Sequence, residues 1–425
     1  MMNPRASSAT GATLEVPWEE LRAILGEANL MPATPGDAIV GVQPQMVAVP
    51  GTEQEVAATL KWADQNGLAV VPRGGGTKMD WGNPPVRADL ILSTARLNRI
   101  LEHAWADMTA SVEAGATVQT FQDTLAQHGQ RLAIDPLFPE RATIGGLLST
   151  NDSGTLRLRF GALRDLIIGV TIALPDGTLA SSGGKVVKNV AGYDLPKLVT
   201  GAMGTLGVIT RAIFRLYPLP RTRRSMTLTL DSAQQANDLI VAVQASKLAH
   251  TGLQLRMDGE GRPEVDVRFA GTETGMDAQT ATLRALSGNA RETSTSMDAW
   301  EGLRGLWREA ANSVIAKFSV LPTEIGVTCE KVRQIAGANV RWTVVIQGTG
   351  LGWIRLDARD GASLESAARE LRKQVQPFVI QRRPAALATM DVWGNTSDSF
   401  PLMVAVKQQF DPNGTLNRGR FLGGI

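Results

Sequence analysis

The chain has 425 residues, which corresponds to two or three domains at about 150 residues per domain. Its 43 basic and 41 acidic residues give a formal net charge of +2, so the composition indicates neither a nucleic-acid-binding surface nor an acidic tail. The single cysteine, Cys329, excludes an intramolecular disulfide, and it excludes an iron–sulfur cluster held by this chain alone. The three histidines, His103, His128 and His250, are too far apart in sequence to form a His-rich metal centre, so we expect no metal site.

The N-terminal segment lacks the apolar core of a secretory signal, and we expect residues 1–40 to form an extension with a lead-in helix. The longest apolar run, Leu166–Leu174, has nine residues, whereas a membrane-spanning helix needs about 20. We therefore expect a cytoplasmic protein without direct membrane insertion, which would reach a membrane only through partner subunits.

The first half of the chain alternates strand and helix patterns, which predicts a mixed α/β or α+β domain. Helices are predicted at Thr52–Asn66 and Thr117–Gln127, with Thr52 and Glu55 in the pattern of a capping box. Strands are predicted at Val47–Val49, Leu68–Val71, Leu90–Leu92, Thr109–Glu113, Leu166–Leu174, Thr178–Ser181 and Val208–Leu216. Pro175-Asp176-Gly177 predicts a hairpin turn between two of these strands.

A domain boundary is predicted at Tyr217–Pro220, where prolines and then arginines interrupt the pattern. Strands are predicted beyond it at Met226–Leu230, Gly252–Met257, Glu264–Phe269, Ile315–Leu321, Thr343–Gln347 and Gly352–Leu356, and helices at Ser232–Ala249, Ala278–Leu286 and Ser363–Val375. This order predicts an antiparallel sheet with helices on one face. Gly271–Ser296 is interpreted as partly a surface excursion, and one short helix is expected before Asp411–Gly414.

Glycine-rich loops carry the chemistry of the first half. In Arg73-Gly74-Gly75-Gly76-Thr77-Lys78 the glycines permit positive φ and expose backbone N–H groups, which suits a pyrophosphate, and the flanking cations would offset its charge. Arg141–Gly154 joins two glycines to small hydroxyl and amide side chains that suit a large planar polar ligand. A third motif runs from Lys188 to Asp194 and leads to Gly201–Thr210. Alone, the first loop is equally compatible with a plain turn, and the second is compatible with a loop in which Asn151 and Asp152 cap a helix.

Taken together, these motifs resemble the vanillyl-alcohol oxidase type (PCMH-type) of FAD-binding domain over about residues 40–220, with a C-terminal echo in Phe410–Phe421. Within that family the chain is most similar to the FAD-binding E subunit of bacterial glycolate oxidase. The features that favour the E subunit over the D subunit are Gly201-Ala202-Met203-Gly204, Asp391-Val392-Trp393-Gly394 and the absence of histidine after His250.

The resemblance implies an α+β fold in which a two-subdomain FAD-binding domain (41–220) precedes an antiparallel-sheet cap domain (221–395) with helices on one face, and a C-terminal segment (396–425) returns to the FAD domain. It implies cofactor-binding roles for Pro72, Arg73, Gly74, Gly75, Gly76, Thr77, Lys78, Pro136, Thr143, Ile144, Gly145, Gly146, Ser149, Thr150, Asn151, Gly154, Gly161, Gly207, Val208, Ile209 and Asn417. FAD is expected to be non-covalent, because Thr77 and Lys78 stand where family members with tethered flavin carry histidine.

The implied function is that of an FAD-binding subunit in the oxidation of glycolate, or of a related 2-hydroxy acid such as D-lactate, to the 2-oxo acid. The implied partners are a larger FAD-containing catalytic subunit and an iron–sulfur subunit. No catalytic base is assigned, and Arg268 and Lys317 are candidates to bind the substrate carboxylate. Two alternatives stay open: an autonomous FAD-dependent D-2-hydroxyacid dehydrogenase, and a non-catalytic scaffold with an FAD-binding fold.

Overall fold

A computed structural model describes residues 16–185, 192–293, 297–310 and 312–425. The strands up to residue 218 are β1 (Leu30–Pro32), β2 (Met46–Ala48), β3 (Val70–Arg73), β4 (Leu90–Ser93), β5 (Ile100–Ala104), β6 (Thr109–Glu113), β7 (Gln130–Arg131), β8 (Ile167–Ala173), β9 (Leu179–Gly183), β10 (Val208–Arg215) and β11 (Tyr217–Pro218). The later strands are β12 (Thr222–Thr229), β13 (His250–Asp258), β14 (Glu264–Gly271), β15 (Arg291–Thr293), β16 (Ser313–Ser319), β17 (Arg341–Gln347), β18 (Leu351–Asp357) and β19 (Phe378–Arg382).

The α-helices are α1 (Trp18–Leu25), α2 (Glu53–Gln65), α3 (Val118–Ala126), α4 (Ile144–Thr150), α5 (Arg157–Phe160), α6 (Leu163–Leu166), α7 (Leu195–Val199), α8 (Ala233–Ala245), α9 (Glu273–Ser287), α10 (Gly302–Gly305), α11 (Ile325–Ala336), α12 (Gly361–Gln374) and α13 (Phe400–Phe410). None of the helices in the described part of the chain is both long enough and apolar enough to span a membrane.

The first sheet has the order β1-β2-β4-β3, and β2, β4 and β3 run parallel. Helix α2 forms the crossover between β2 and β3, and the side chain of Thr52 caps it as predicted by accepting a hydrogen bond from the N–H of Glu55 (3.1 Å). The carboxylate of Glu55 accepts from the N–H of Gly51 rather than that of Thr52, so the predicted capping box is displaced by one residue.

The second sheet is antiparallel with the order β5-β6-β10-β8-β9. The predicted hairpin is confirmed as β8 and β9, and Gly177 adopts a φ of 88° in its turn. Helices α3 and α4 contribute Phe121, Leu125, Leu147 and Leu148 to the core beneath this sheet.

The third sheet has eight antiparallel strands in the order β15-β12-β14-β13-β17-β18-β16-β19. Helices α8, α9, α11 and α12 contribute buried apolar side chains to the core on one of its faces. On the opposite face Ile315, Val345 and Trp353 pack against Trp81 and Met203 of the first half. The predicted α+β fold class, with an antiparallel sheet covered by helices on one face, is confirmed.

The C-terminal segment lies against the first sheet. Leu416 forms a parallel bridge with Val70 of β3, and the side chains of Asn413 and Thr415 donate hydrogen bonds to the carboxylate of Asp64 in α2. The predicted domain limits themselves stay a prediction.

Several elements differ from the sequence prediction. Strands β5 and β19 and helix α11 were not predicted, and α9 occupies most of the segment interpreted as a partial surface excursion. Helix α9 begins five residues earlier than predicted, where the side chain of Thr272 caps it by accepting from the N–H of Gly275 and Met276 is buried. Residues 188–191 of the third motif lie outside the described residues.

Candidate functional site

A cleft opens where the parallel strand β3 ends and the glycine-rich loop begins, at the edge of a sheet where ligands commonly bind. It holds about 710 Å³ of space between the loop, α4, the start of β10 and the C-terminal segment. Its lining comprises Pro72, Arg73, Gly74, Gly75, Gly76, Thr77, Lys78, Met79, Thr94, Thr143, Gly145, Gly146, Ser149, Thr150, Met203, Gly204, Gly207, Val208, Ile209, Asn417 and Arg420. Three stretches of sequence that lie far apart therefore meet here, together with the C-terminal segment.

The three consecutive glycines are required for different reasons. A Cβ on Gly74 would lie 2.0 Å from Oγ1 of Thr143, and a Cβ on Gly75 would lie 1.8 Å from the carbonyl oxygen of Arg141. Only Gly76 has a positive φ, of 70°. The expectation that all three glycines permit positive φ is therefore corrected: two of them allow the loop to pack directly on residues 141–143.

The opposite wall is built by β10 and the C-terminal segment. The side chain of Asn417 donates a hydrogen bond to the carbonyl of Met203 (2.6 Å) and is buried. Arg420 is 3% exposed and donates to the carbonyls of Met79 (2.7 Å) and Trp81 (2.6 Å). Burial lowers the pKa of the Arg420 guanidinium to about 10, so it stays a cation at neutral pH.

A buried ion pair lies beside the loop. The ammonium of Lys78 is 3.1 Å from the carboxylate of Asp152, and the two side chains are 6% and 2% exposed. The carboxylate of Asp152 also accepts a hydrogen bond from the N–H of Leu137 (3.0 Å). Asp152 therefore holds Lys78 in place and neutralises its charge within the protein interior.

Two residues of the cleft lining carry a buried polar atom that has no hydrogen-bond partner within the described residues, Oδ1 of Asn417 and Nε of Arg420, and Nζ of Lys78 has only its ion pair with Asp152. Oδ1 of Asn151 and Oγ of Ser153 are also unpaired in the adjoining residues, and other such atoms lie elsewhere in the chain. Leaving a buried polar group unpaired costs about 1–3 kcal/mol, so the unpaired atoms at the cleft fit a ligand that carries hydrogen-bonding groups. A flavin dinucleotide has that character, and the side-chain-free glycine loop suits its pyrophosphate.

Sixteen of the predicted cofactor-binding residues line the cleft and five do not. Ile144, the first residue of α4, points into the core and is fully buried, and Asn151 ends that helix in a left-handed conformation. Gly161 ends α5, where a Cβ would lie 2.8 Å from Asp165. Pro136 and Gly154 line a neighbouring groove instead. The cofactor-binding roles of all these residues stay a prediction.

Five residues of the lining were not predicted: Met79, Thr94, Met203, Gly204 and Arg420. Arg420 lies in the C-terminal echo motif Gly419-Arg420-Phe421, so that motif contained a usable signal. Thr94 directly follows β4, the parallel neighbour of β3, and could have been found only from the sheet order.

The fold and the cleft define an FAD-binding domain of the type found in FAD-linked oxidoreductases. Residues 44–183 match the family described as "FAD binding domain". The fold resembles that of p-cresol methylhydroxylase (TM-score 0.75, 14% identity, 95% of each chain covered). It also resembles alkyldihydroxyacetonephosphate synthase (TM-score 0.73, 16% identity, 94% of this chain and 84% of that chain). The predicted PCMH-type fold is confirmed, and FAD is the cofactor of this domain.

Three curated relatives show which proteins the sequence is similar to. Glycolate oxidase subunit GlcD of Bacillus subtilis is 32% identical over 211 residues, covering 50% of this chain and 45% of the relative. D-lactate dehydrogenase of Archaeoglobus fulgidus is 34% identical over 203 residues, covering 48% and 45%. D-2-hydroxyglutarate dehydrogenase of Xanthomonas citri is 32% identical over 202 residues, covering 48% and 43%. The chain thus spans less than half the length of these relatives.

Proposed function

We propose that this chain is the FAD-binding, E-type subunit of a glycolate oxidase or dehydrogenase, which takes part in oxidising glycolate, or a related 2-hydroxy acid such as D-lactate, to the 2-oxo acid. The observation that carries the proposal is the cleft of glycine loops with unpaired polar atoms around it, in a chain similar to a glycolate oxidase subunit and to D-2-hydroxyacid dehydrogenases. FAD, when bound, accepts a hydride from C2 of a hydroxy acid. The residues of this chain bind and orient the reactants.

Lys317 is the candidate of choice for binding the substrate carboxylate. It lies on β16, on the sheet face that carries Ile315 and Trp353, and its ammonium is 5.4 Å from the ring centre of Trp353. No hydrogen bond or ion pair joins its side chain to any described residue. Burial lowers the pKa of the ammonium to about 8, and the charge of Asp152 opposes this shift. Because Asp152 already pairs with Lys78, Lys317 offers a cation that is not neutralised.

Arg268, the second sequence candidate, already has partners. Its guanidinium is 3.7 Å from the carboxylate of Asp135, donates to Thr155 (3.3 Å) and lies 4.4 Å from the ring centre of Trp300. Its side chain also lines a different cleft from the one described above. Arg268 is therefore a weaker candidate for the carboxylate than Lys317.

Two functions point to a need for partners: a base that accepts the proton of the hydroxy acid, and a path by which electrons leave the flavin. None of the three histidines lines the cleft: His103 and His128 contact each other near β5, and His250 begins β13. Cys329 is fully buried in α11, and burial raises the pKa of its thiol to about 12, which disfavours a role as a metal-binding thiolate. We therefore propose a larger FAD-containing subunit that supplies the base and an iron–sulfur subunit that removes electrons.

An autonomous FAD-dependent 2-hydroxyacid dehydrogenase is the second candidate, and the unpaired ammonium of Lys317 is the observation that favours it. The experiment compares the purified chain alone with the chain co-expressed with candidate partners, measuring flavin content and glycolate-dependent dye reduction. We expect flavin in both samples and turnover only with partners. Turnover by the isolated chain would establish the autonomous enzyme, and absence of flavin from the complex would favour a scaffold.

A further inference from the structure

A second cleft, separate from the cofactor cleft, concentrates arginine side chains. It lies between β7 and α3 of the first half and β12 and β14 of the eight-stranded sheet, and holds about 920 Å³ of space. Three guanidinium groups line it, those of Arg131, Arg223 and Arg268, and none of its lining residues lines the cofactor cleft. We refer to it as the arginine cleft.

Two of these cations have no acidic partner. Arg268 is paired with Asp135, whose carboxylate also accepts from the hydroxyl of Thr155 (2.8 Å). The side chains of Arg131 and Arg223, in contrast, form no hydrogen bond or ion pair with any described residue. The only other carboxylate that lines the cleft, that of Asp123, accepts a hydrogen bond from Gln119 (2.8 Å). Positive charge in the arginine cleft is therefore incompletely balanced.

Arg131 is the residue that points to a ligand. It is 8% exposed, its Nε is buried without a hydrogen-bond partner, and its guanidinium lies 5.0 Å from the ring centre of Phe160. Burial lowers its pKa to about 10, repulsion from Arg223 and Arg268 acts in the same direction, and the charge of Asp135, which is already paired with Arg268, opposes the shift. A buried guanidinium that is repelled by two like charges and has no hydrogen-bond or ion-pair partner among the described residues is stabilised by a bound anion.

We propose that the arginine cleft binds a small multivalent oxyanion, a phosphate or a polycarboxylate, between Arg131 and Arg223. A small ligand is proposed because Arg131 is only 8% exposed, which leaves little of its surface for a folded partner to contact. Arg131 belongs to the first half and Arg223 to the eight-stranded sheet, so the anion bridges the two parts of the molecule. This site goes beyond the proposed oxidation of 2-hydroxy acids and does not depend on it.

The test uses the full chain reconstituted with FAD, so that the phosphate-binding part of the cofactor cleft is filled. Titration calorimetry and thermal unfolding are recorded with citrate and with inorganic phosphate, against chloride at equal ionic strength. We expect saturable binding of at least one probe and a higher unfolding temperature in its presence. The stronger of the two probes identifies the chemical class of the ligand.

Matched variants decide whether the cleft is the site. Arg223→Ala is expected to weaken binding about tenfold, because the anion loses one charge-assisted contact, with the exposed guanidinium of Arg223. Arg221→Ala is the control, since Arg221 is exposed two positions away and does not line the cleft. Arg131→Met, checked for retained flavin, is expected to abolish binding. Absence of saturable binding by both probes, or equal losses in Arg221→Ala and Arg223→Ala, would overturn the proposal.

Discussion

The cofactor cleft and the sheet face that approaches it are built in opposite ways. Seven glycines and several small hydroxyl residues line much of the cleft, so backbone atoms form a large part of its wall, beside a few larger residues such as Arg73, Met203 and Arg420. The face of the eight-stranded sheet contributes Trp353 to a buried aromatic cluster in which Trp81 and Trp307 stack with ring centres 5.7 Å apart. In the proposed function, cofactor binding thus rests on many backbone positions, whereas substrate binding on the sheet side rests on few polar groups, above all Lys317.

The largest effect is expected from the C-terminal segment that closes the cofactor side. The carboxylate of Asp411 is fully buried and accepts from the ammonium of Lys407 and from the N–H groups of Thr415 (2.8 Å) and Leu416 (2.8 Å). Asp411→Ala removes the counter-charge of the buried Lys407, whose ammonium then keeps only the carbonyls of Thr205 (2.8 Å) and Leu416 (3.0 Å) as acceptors, and this costs about 3–5 kcal/mol. Urea denaturation should show this loss in the free energy of unfolding, whereas Asp398→Ala, an exposed site in the same segment, should leave the midpoint unchanged.

A smaller but more specific loss is expected at the glycine loop. In Gly75→Val the new side chain collides with the carbonyl of Arg141, which displaces the loop at a cost of about 1–3 kcal/mol and weakens FAD binding about tenfold to hundredfold. The visible absorbance of flavin per purified chain measures this loss. Gly361→Val is the control, because no atom lies within 4 Å of the added Cβ. Full flavin content in Gly75→Val would show that this loop does not bind the cofactor.

The cofactor cleft and the sheet face show what the sequence could and could not predict. The glycine loops were recognisable because each is a local run of residues whose backbone requirements appear in sequence. The contact that makes Gly75 necessary joins it to Arg141, and the ion pair of Lys78 with Asp152 likewise joins distant positions, so neither could be read locally. In the sequence, Arg268 and Lys317 are equally good candidates for the substrate carboxylate, because each is a cation on a predicted strand. Only the structure distinguishes them, since Arg268 has an acidic partner and Lys317 contacts an aromatic ring.

The missed elements have similar causes. Helix α11 carries Gly326 and several β-branched residues, which lower helix propensity. In the fold Gly326 lets α11 approach α8 closely, since a Cβ there would lie 2.9 Å from the carbonyl of Ala233. Strand β5 is an edge strand with mostly exposed or half-buried residues, so its hydrophobic alternation is weak. Tertiary packing, rather than local propensity, fixes both elements.

On the sheet side, Lys317→Met is expected to raise KM for glycolate about tenfold to hundredfold, because a charge-assisted contact with the carboxylate is lost. Flavin content should be unchanged, since Lys317 does not line the cofactor cleft. Lys247→Met, at an exposed lysine that follows α8, is the matched control. Equal KM values in the native protein and Lys317→Met would exclude Lys317 from carboxylate binding. The assay uses the partner subunits if turnover requires them.

The smallest effect is a pH dependence that the same lysine imposes. Because the pKa of Lys317 is lowered to about 8, its ammonium is lost as the pH rises through that value, and KM for glycolate should rise above it. Lys317→Arg keeps its charge throughout this range and should give a flat profile. A rise in KM of the same size in Lys317→Arg would assign the titration to another group.

The stability of the ligand-free chain provides an independent measurement of the same titration. Above about pH 8, stability is expected to improve while substrate affinity declines. The ordinary pKa of lysine is 10.5 and that of folded Lys317 is about 8, so between these values the unfolded chain binds more protons than the folded one. The contribution of Lys317 to stability therefore increases as the pH rises from about 8 towards 10.5. Urea midpoints across this window should rise more steeply in the native protein than in Lys317→Met, which lacks the titrating group. Parallel slopes would show that Lys317 titrates normally, and the aromatic face would then hold no destabilised cation for a substrate to neutralise.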